Sequence, residues 1–132
     1  MRRIITFGTF DVFHIGHVNI LERAKEFGDV LIVGVSSDAL NFSKKKRYPI
    51  FSEEQRMRMV KALHCVNEVF LEESLEQKGQ YLQDHSADIL VMGDDWKRKF
   101  DCFNNLCEVI YLPRTKDIST SEIIATIRKI DR

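Results

Sequence analysis

Apolar positions along this chain alternate between short unbroken runs and longer stretches at helical spacing. Residues 3–7 (RIITF), 30–35 (VLIVGV), 66–71, 87–92 (ADILVM) and 109–112 are short apolar runs, and each predicts a strand. Runs without polar alternation belong to parallel sheets covered on both faces. Between them, residues 17–27 place Val18, Leu21, Ala24 and Phe27 on one side and Glu22, Arg23 and Lys25 on the other, which predicts a helix. Helices are also predicted over 51–63, 75–85 and 119–130. Ser52 is the expected N-cap of the second, with Glu53, Glu54 and Gln55 in its first turn. Residues 38–50 (DALNFSKKKRYPI) read as a polar connection carrying four consecutive basic residues.

This order predicts one α/β domain over residues 1–132: a doubly wound, mostly parallel five-stranded sheet with helices on both faces. Ligands of such sheets bind beyond the carboxyl ends of the strands, at the point where strand order reverses. Four polar clusters follow predicted strands one, two, four and five. They are residues 8–17, 36–47, 93–96 and 113–121, and they are expected to converge on one rim.

Composition narrows the partners. Twenty basic and twenty acidic residues give zero formal charge. That argues against a general nucleic-acid binder, whose affinity rests on phosphate neutralisation, but not against a local basic pocket. No apolar run approaches the length of a membrane span. The opening MRRIITFG reads straight into a strand, so a cytoplasmic location without membrane attachment is the expectation. Cys65, Cys102 and Cys107 form no CxxC pair and read as free thiols.

The chemistry concentrates in GTFDVFHIGH, residues 8–17. His14 and His17 share a face if a helix begins near Ile15. Gly16 between them leaves room for a ligand to reach the backbone. A helix start offers free N–H groups, and two imidazole N–H donors added there make a phosphate site. Zinc held by the two histidines and Asp11 is the rival, but no third His or Cys lies at local spacing, so no metal ligands are assigned. In the 44–47 run KKKR, alternate residues of an extended loop share a side, which singles out Lys44 and Lys46. Arg114 with Ser119, Thr120 and Ser121 crowds the start of the last helix with anion donors. Asp94 or Asp95 suits ligand hydroxyls or a Mg2+-bound water, and Trp96 suits stacking.

These motifs together resemble a known family. HIGH after GTFD, with LERAKEFGD, MGDDW, YLPRT and IST in order, is similar to the cytidylyltransferases of the HxGH nucleotidyltransferase superfamily, and among them to those acting on glycerol 3-phosphate. The resemblance runs nearly end to end. It implies a Rossmann-like fold of the HUP type, and transfer of CMP from CTP to glycerol 3-phosphate with Mg2+, giving CDP-glycerol and pyrophosphate. It also implies a homodimer and a supply of CDP-glycerol to teichoic acid or capsule synthesis. Carried over residue by residue, it assigns catalysis to His14, His17, Lys44, Lys46 and Arg114. Nucleotide binding falls to Thr9, Phe10, Asp11, His14, His17, Asp94, Arg114, Ser119 and Thr120. Acceptor binding falls to Asp38, Lys44, Lys46 and Arg56. Three residues depart from the family pattern: Asn67, Leu75 and Asp117. Another alcohol phosphate such as ethanolamine phosphate, an adenylyl transfer, and a non-catalytic nucleotide-binding module stay open as alternatives.

Overall fold

The computed structural model describes residues 1–130. Strands β1 (Arg3–Gly8), β2 (Val30–Ser36), β3 (Glu68–Glu72), β4 (Ile89–Gly93) and β5 (Glu108–Leu112) form one sheet in the order β3-β2-β1-β4-β5. Every pairing is parallel, which sharpens the expectation of a mostly parallel sheet. The chain builds outward from β1 to β3, then returns to the other edge of β1 for β4. The switch point therefore lies between the carboxyl ends of β1 and β4.

Neighbouring residues of a strand face opposite layers. Ile4, Leu31, Val33, Val35, Ile89 and Val91 face one layer, where they meet Leu21 and Ala24 of α1 (Ile15–Lys25) and Val60 of α3 (Glu53–Lys61). Ile5, Phe7, Ile32, Leu90 and Met92 face the other and pack on Leu82 of α4 (Lys78–Asp84). Gly34 is required at the sheet centre. A Cβ there would lie 2.6 Å from the Phe7 ring and 2.7 Å from the Phe70 ring, which meet edge-on.

Two local readings need correction. The 38–50 segment is not a loop throughout: Asp38–Lys45 is a helix, α2, capped by the Ser37 hydroxyl, which accepts from Leu40 N at 3.0 Å. Its two turns bury little beyond Leu40 and Asn41, too few apolar positions to show as periodicity. Helix α1 begins at Ile15, not His17, because His14 caps it. Ser52 does cap α3, in a reciprocal box with Gln55. Helix α5 (Thr120–Lys129) starts from an N-cap at Ser119 and lies along the rim.

Candidate active site

The cleft opens at the switch point and encloses about 860 Å³. Its walls come from the loop after β1, the segment after α2, the turn after β4, and the stretch from Arg114 into α5.

The loop after β1 is shaped by its backbone. Phe10 and Val12 both have left-handed φ, 56° and 47°. The turn folds the Phe10 ring inward until it is 6% exposed, over Gly8, where a Cβ would sit 2.8 Å from it. The chain then enters α1 through a cap made of two imidazoles. His14 Nδ1 accepts from Gly16 N at 3.0 Å, and His17 Nδ1 accepts from His14 N at 3.2 Å. The rings stack at 3.8 Å. A side chain at position 16 would lie 2.8 Å from the His14 ring, so glycine is required.

This bonding fixes what the histidines can do. With Nδ1 of each ring accepting a backbone N–H, the proton of the neutral ring sits on Nε2 and points away as a donor. Burial pushes the His14 pKa below its ordinary value, and the Arg114 charge adds to this. Burial lowers that of His17 to about 4; His14 and Arg114 reinforce the shift and Asp11 opposes it. Both are therefore neutral N–H donors near pH 7. Neither has a lone pair free to take a proton, which disfavours the general-base reading. Among the described residues, no group of three or more His, Cys, Asp or Glu side chains gathers as metal ligands would.

Asp11 lines the cleft, but its carboxylate is taken by backbone. Oδ2 accepts from Ile50 N at 2.8 Å and Oδ1 from Phe51 N at 3.0 Å. Its carbonyl oxygen accepts from Thr120 Oγ1 at 2.8 Å. One residue thus ties the β1 loop to the basic segment and to α5. Thr9 gives its hydroxyl to Asn41 Oδ1 at 3.0 Å. The Ser119 hydroxyl accepts from Glu122 N at 3.2 Å. Ser121, in the first turn of α5, also lines the cleft. Arg114 is half exposed and 3.7 Å from Asp95. Asp95 and Trp96 are the cleft residues of the β4 turn; Asp94 does not line it.

The basic segment differs most from its expected geometry. Lys44 closes the last turn of α2, and Lys46 caps the helix with φ 60°. The alternation expected of an extended loop does not exist here, and Lys45 and Arg47 line the cleft instead. The Lys44 amine carries a lowered pKa, first from burial; the nearby Glu72 opposes it, while Lys45 and Lys78 add to it. Asp38 and Arg56, assigned to the acceptor, are bonded inward. Arg56 is 1% exposed and donates to Phe51 O, Thr9 O, Ser36 O and Asp38 Oδ1 at 2.7–3.0 Å. This clamp holds the strand-end loops in place.

A buried ion pair escaped the sequence reading. Lys78 Nζ lies 2.9 Å from Glu72 Oε2 and 4.0 Å over the Phe7 ring. Glu72 ends β3, the strand that contributes none of the four polar clusters expected at the rim. Of the departures, Asn67 lies at the opposite end of the sheet, where its Oδ1 accepts from Leu31 N at 2.9 Å and Lys25 Nζ at 3.1 Å. Leu75 is exposed, and Asp117 adopts the left-handed φ, 62°, that glycine would take most easily.

A parallel doubly wound sheet with capped helix starts converging at its switch point defines an α/β class of protein whose ligands bind at that point. The chain belongs to the cytidylyltransferase-like family, whose model matches residues 5–126. Within that family it is similar to the glycerol-3-phosphate cytidylyltransferase of Bacillus subtilis, 48% identical over 123 residues that cover 93% of this chain and 95% of that protein. The Staphylococcus aureus enzyme of the same name is 43% identical over 93% of this chain and 92% of its own length. A lipopolysaccharide core biosynthesis protein from Thermoplasma volcanium shares the fold, with a TM-score of 0.78 and 24% identity over 88% of this chain and 99% of that one.

Proposed function

We propose that this protein transfers CMP from CTP to glycerol 3-phosphate, releasing pyrophosphate and forming CDP-glycerol. The observation that carries the transfer chemistry is the pair of neutral imidazole donors at one end of a cleft that also receives Arg114 and the start of α5. The choice of CTP and glycerol 3-phosphate rests on the likeness to the two enzymes of that name.

In this reading a glycerol-phosphate oxygen attacks the α-phosphorus of CTP, and the bond to the pyrophosphate oxygen breaks. The nucleophile is already anionic, so no base is required, which suits histidines with no free lone pair. Charge grows on the oxygens around the reacting phosphorus, and donors aimed there stabilise the transition state most. His14, His17 and Arg114 supply them. Thr9, Phe10, Ser119 and Thr120 shape the nucleotide wall. Lys45 and Arg47 supply positive charge on the other side. The oxygen donors at the rim fit Mg2+, a hard cation that keeps several waters and is shared with substrate phosphates. Asp95, the cleft carboxylate of the β4 turn, would hold it, and the ion would neutralise triphosphate charge. A homodimer, a cytoplasmic location and a role in supplying CDP-glycerol for polymer synthesis belong to the same proposal.

The test is pyrophosphate release, with Mg2+, from CTP, ATP, UTP and GTP, each against a panel of small phosphorylated alcohols. Release with CTP and glycerol 3-phosphate alone is the expected result. Release with CTP and ethanolamine phosphate instead would move the acceptor, and release with no pair would overturn the enzymatic reading.

A further inference from the structure

Three rings surround the His17 imidazole. Phe13 stacks on it at 5.1 Å and 29°, Phe10 meets it edge-on at 5.4 Å, and His14 stacks at 3.8 Å. Phe10, His14 and His17 line the cleft, but Phe13 does not. It lies behind them, facing an apolar groove with Val12, Phe51 and Met59. An effect of Phe13 on chemistry in the cleft therefore passes through the cleft rings it touches, His17 foremost and Phe10 at 6.3 Å. The backbone is bent just before it: Val12, β-branched, sits at φ 47°, a costly conformation for such a residue.

We propose that Phe13 is a positioning residue whose ring holds the His17 imidazole with Nδ1 on the His14 N–H and Nε2 in the phosphate cleft, and keeps water off it. The inference rests on reading the cleft as a phosphate-transfer site. An imidazole has two nitrogens, and a half-turn about χ2 would exchange a cleft donor for a buried one. The flat contact with Phe13 fixes the ring plane and obstructs rotation out of it, while the His14 N–H selects which nitrogen faces it. The charged and titratable groups facing His17 are His14 at the helix start, Arg114 after β5, and Asp11 in the β1 loop. The first two disfavour a proton on the ring and Asp11 favours one. Burial, to which Phe13 contributes, is the largest cause of the lowered value.

Simple packing requires bulk at position 13, whereas positioning requires a flat ring, so Phe13→Leu and Phe13→Tyr separate the two. Long-range proton–nitrogen spectra of histidine-labelled protein report the tautomer and titration of His17 without substrate. In the parent chain, His17 is expected to carry its proton on Nε2 at pH 7 and to titrate near 4. In Phe13→Leu the midpoint should rise by about one unit or more as water reaches the ring. Turnover should fall by about tenfold, less than the roughly 10²-fold that a 1 Å misplacement of a catalytic group can cost, with KM for CTP nearly unchanged. Phe13→Tyr should restore both. Phe13→Met replaces Leu if that variant does not fold. A Leu variant with the parent's tautomer and midpoint would overturn the proposal, as would equal losses in Leu and Tyr. Unchanged turnover beside an altered spectrum would overturn it too. If the parent chain makes no CDP-glycerol, the functional reading fails separately, and the spectra still decide whether Phe13 orients His17.

Discussion

Residues 9–17 and residues 44–51 flank the same cleft, yet they are held by different means. The first stretch packs the Phe10, Phe13, His14 and His17 rings against one another and closes its helix with two imidazole hydrogen bonds. The second is exposed from Phe42 to Tyr48, and its cleft-lining charges make no ion pair among the described residues. Its register depends on the Lys46 turn and on two hydrogen bonds to Asp11. A rigid wall can aim donors at charge that develops during reaction, which raises kcat. A looser, charged wall gathers anions, which shows in KM.

The largest effect should come from the rigid wall. His14→Ala or His17→Ala is expected to lower kcat by about 10²-fold or more, roughly 3 kcal/mol, with a smaller change in KM. Steady-state kinetics with CTP checks this, and an effect confined to KM would erase the distinction between the walls. Next comes the residue joining them. Asp11→Ala frees the Ile50 and Phe51 N–H groups and should raise the KM for CTP by about tenfold, the scale of a lost charge-assisted hydrogen bond. Amide exchange at residues 50 and 51 should quicken in the same variant.

Smaller again are the charges of the loose wall. Lys45→Ala and Arg47→Ala should each raise KM by about threefold, an effect that shrinks with added salt because exposed charges are screened. Parallel Lys44→Ala and Lys46→Ala variants sharpen the point. Larger losses from that pair would mean that the segment changes register when it closes on a ligand.

A separate expected effect is on stability. Folding lowers the His17 pKa from 6.5 to about 4, so between those values the unfolded chain binds more protons than the folded one. Stability from this group is complete above about pH 6.5 and is lost as pH falls through 4. A series of thermal melts should show Tm dropping across that window, with a shallower drop in His17→Gln.

The difference between the walls also explains what could be read from the sequence. The sheet was legible because β1, β2 and β4 are buried on both faces and cannot tolerate polar alternation. The rim was legible because parallel topology sends every strand's carboxyl end the same way. His14 and His17 were legible because the helix start that unites them is local. The basic segment was not, because a two-turn helix ending in a left-handed Lys46 reverses which lysines face the cleft. Asp38 and Arg56 look like ligand groups in sequence, yet their partners are carbonyl oxygens and an amide brought together only by the folded loops. Glu72 and Lys78 stand six residues apart across the turn between β3 and α4, and only packing on Phe7 reveals them as a buried pair.

The strand order has a consequence for the chain as it is synthesised. Strands β1 to β3 come from the first 72 residues and can pair as they emerge, but β4 joins the far edge of β1, with Ile89 beside Ile4. The second side of the cleft, from Arg114 to Thr120, follows later still. A ribosome must therefore make every strand before the cleft has both its sides. The histidines are made well before the surface that faces them across the cleft.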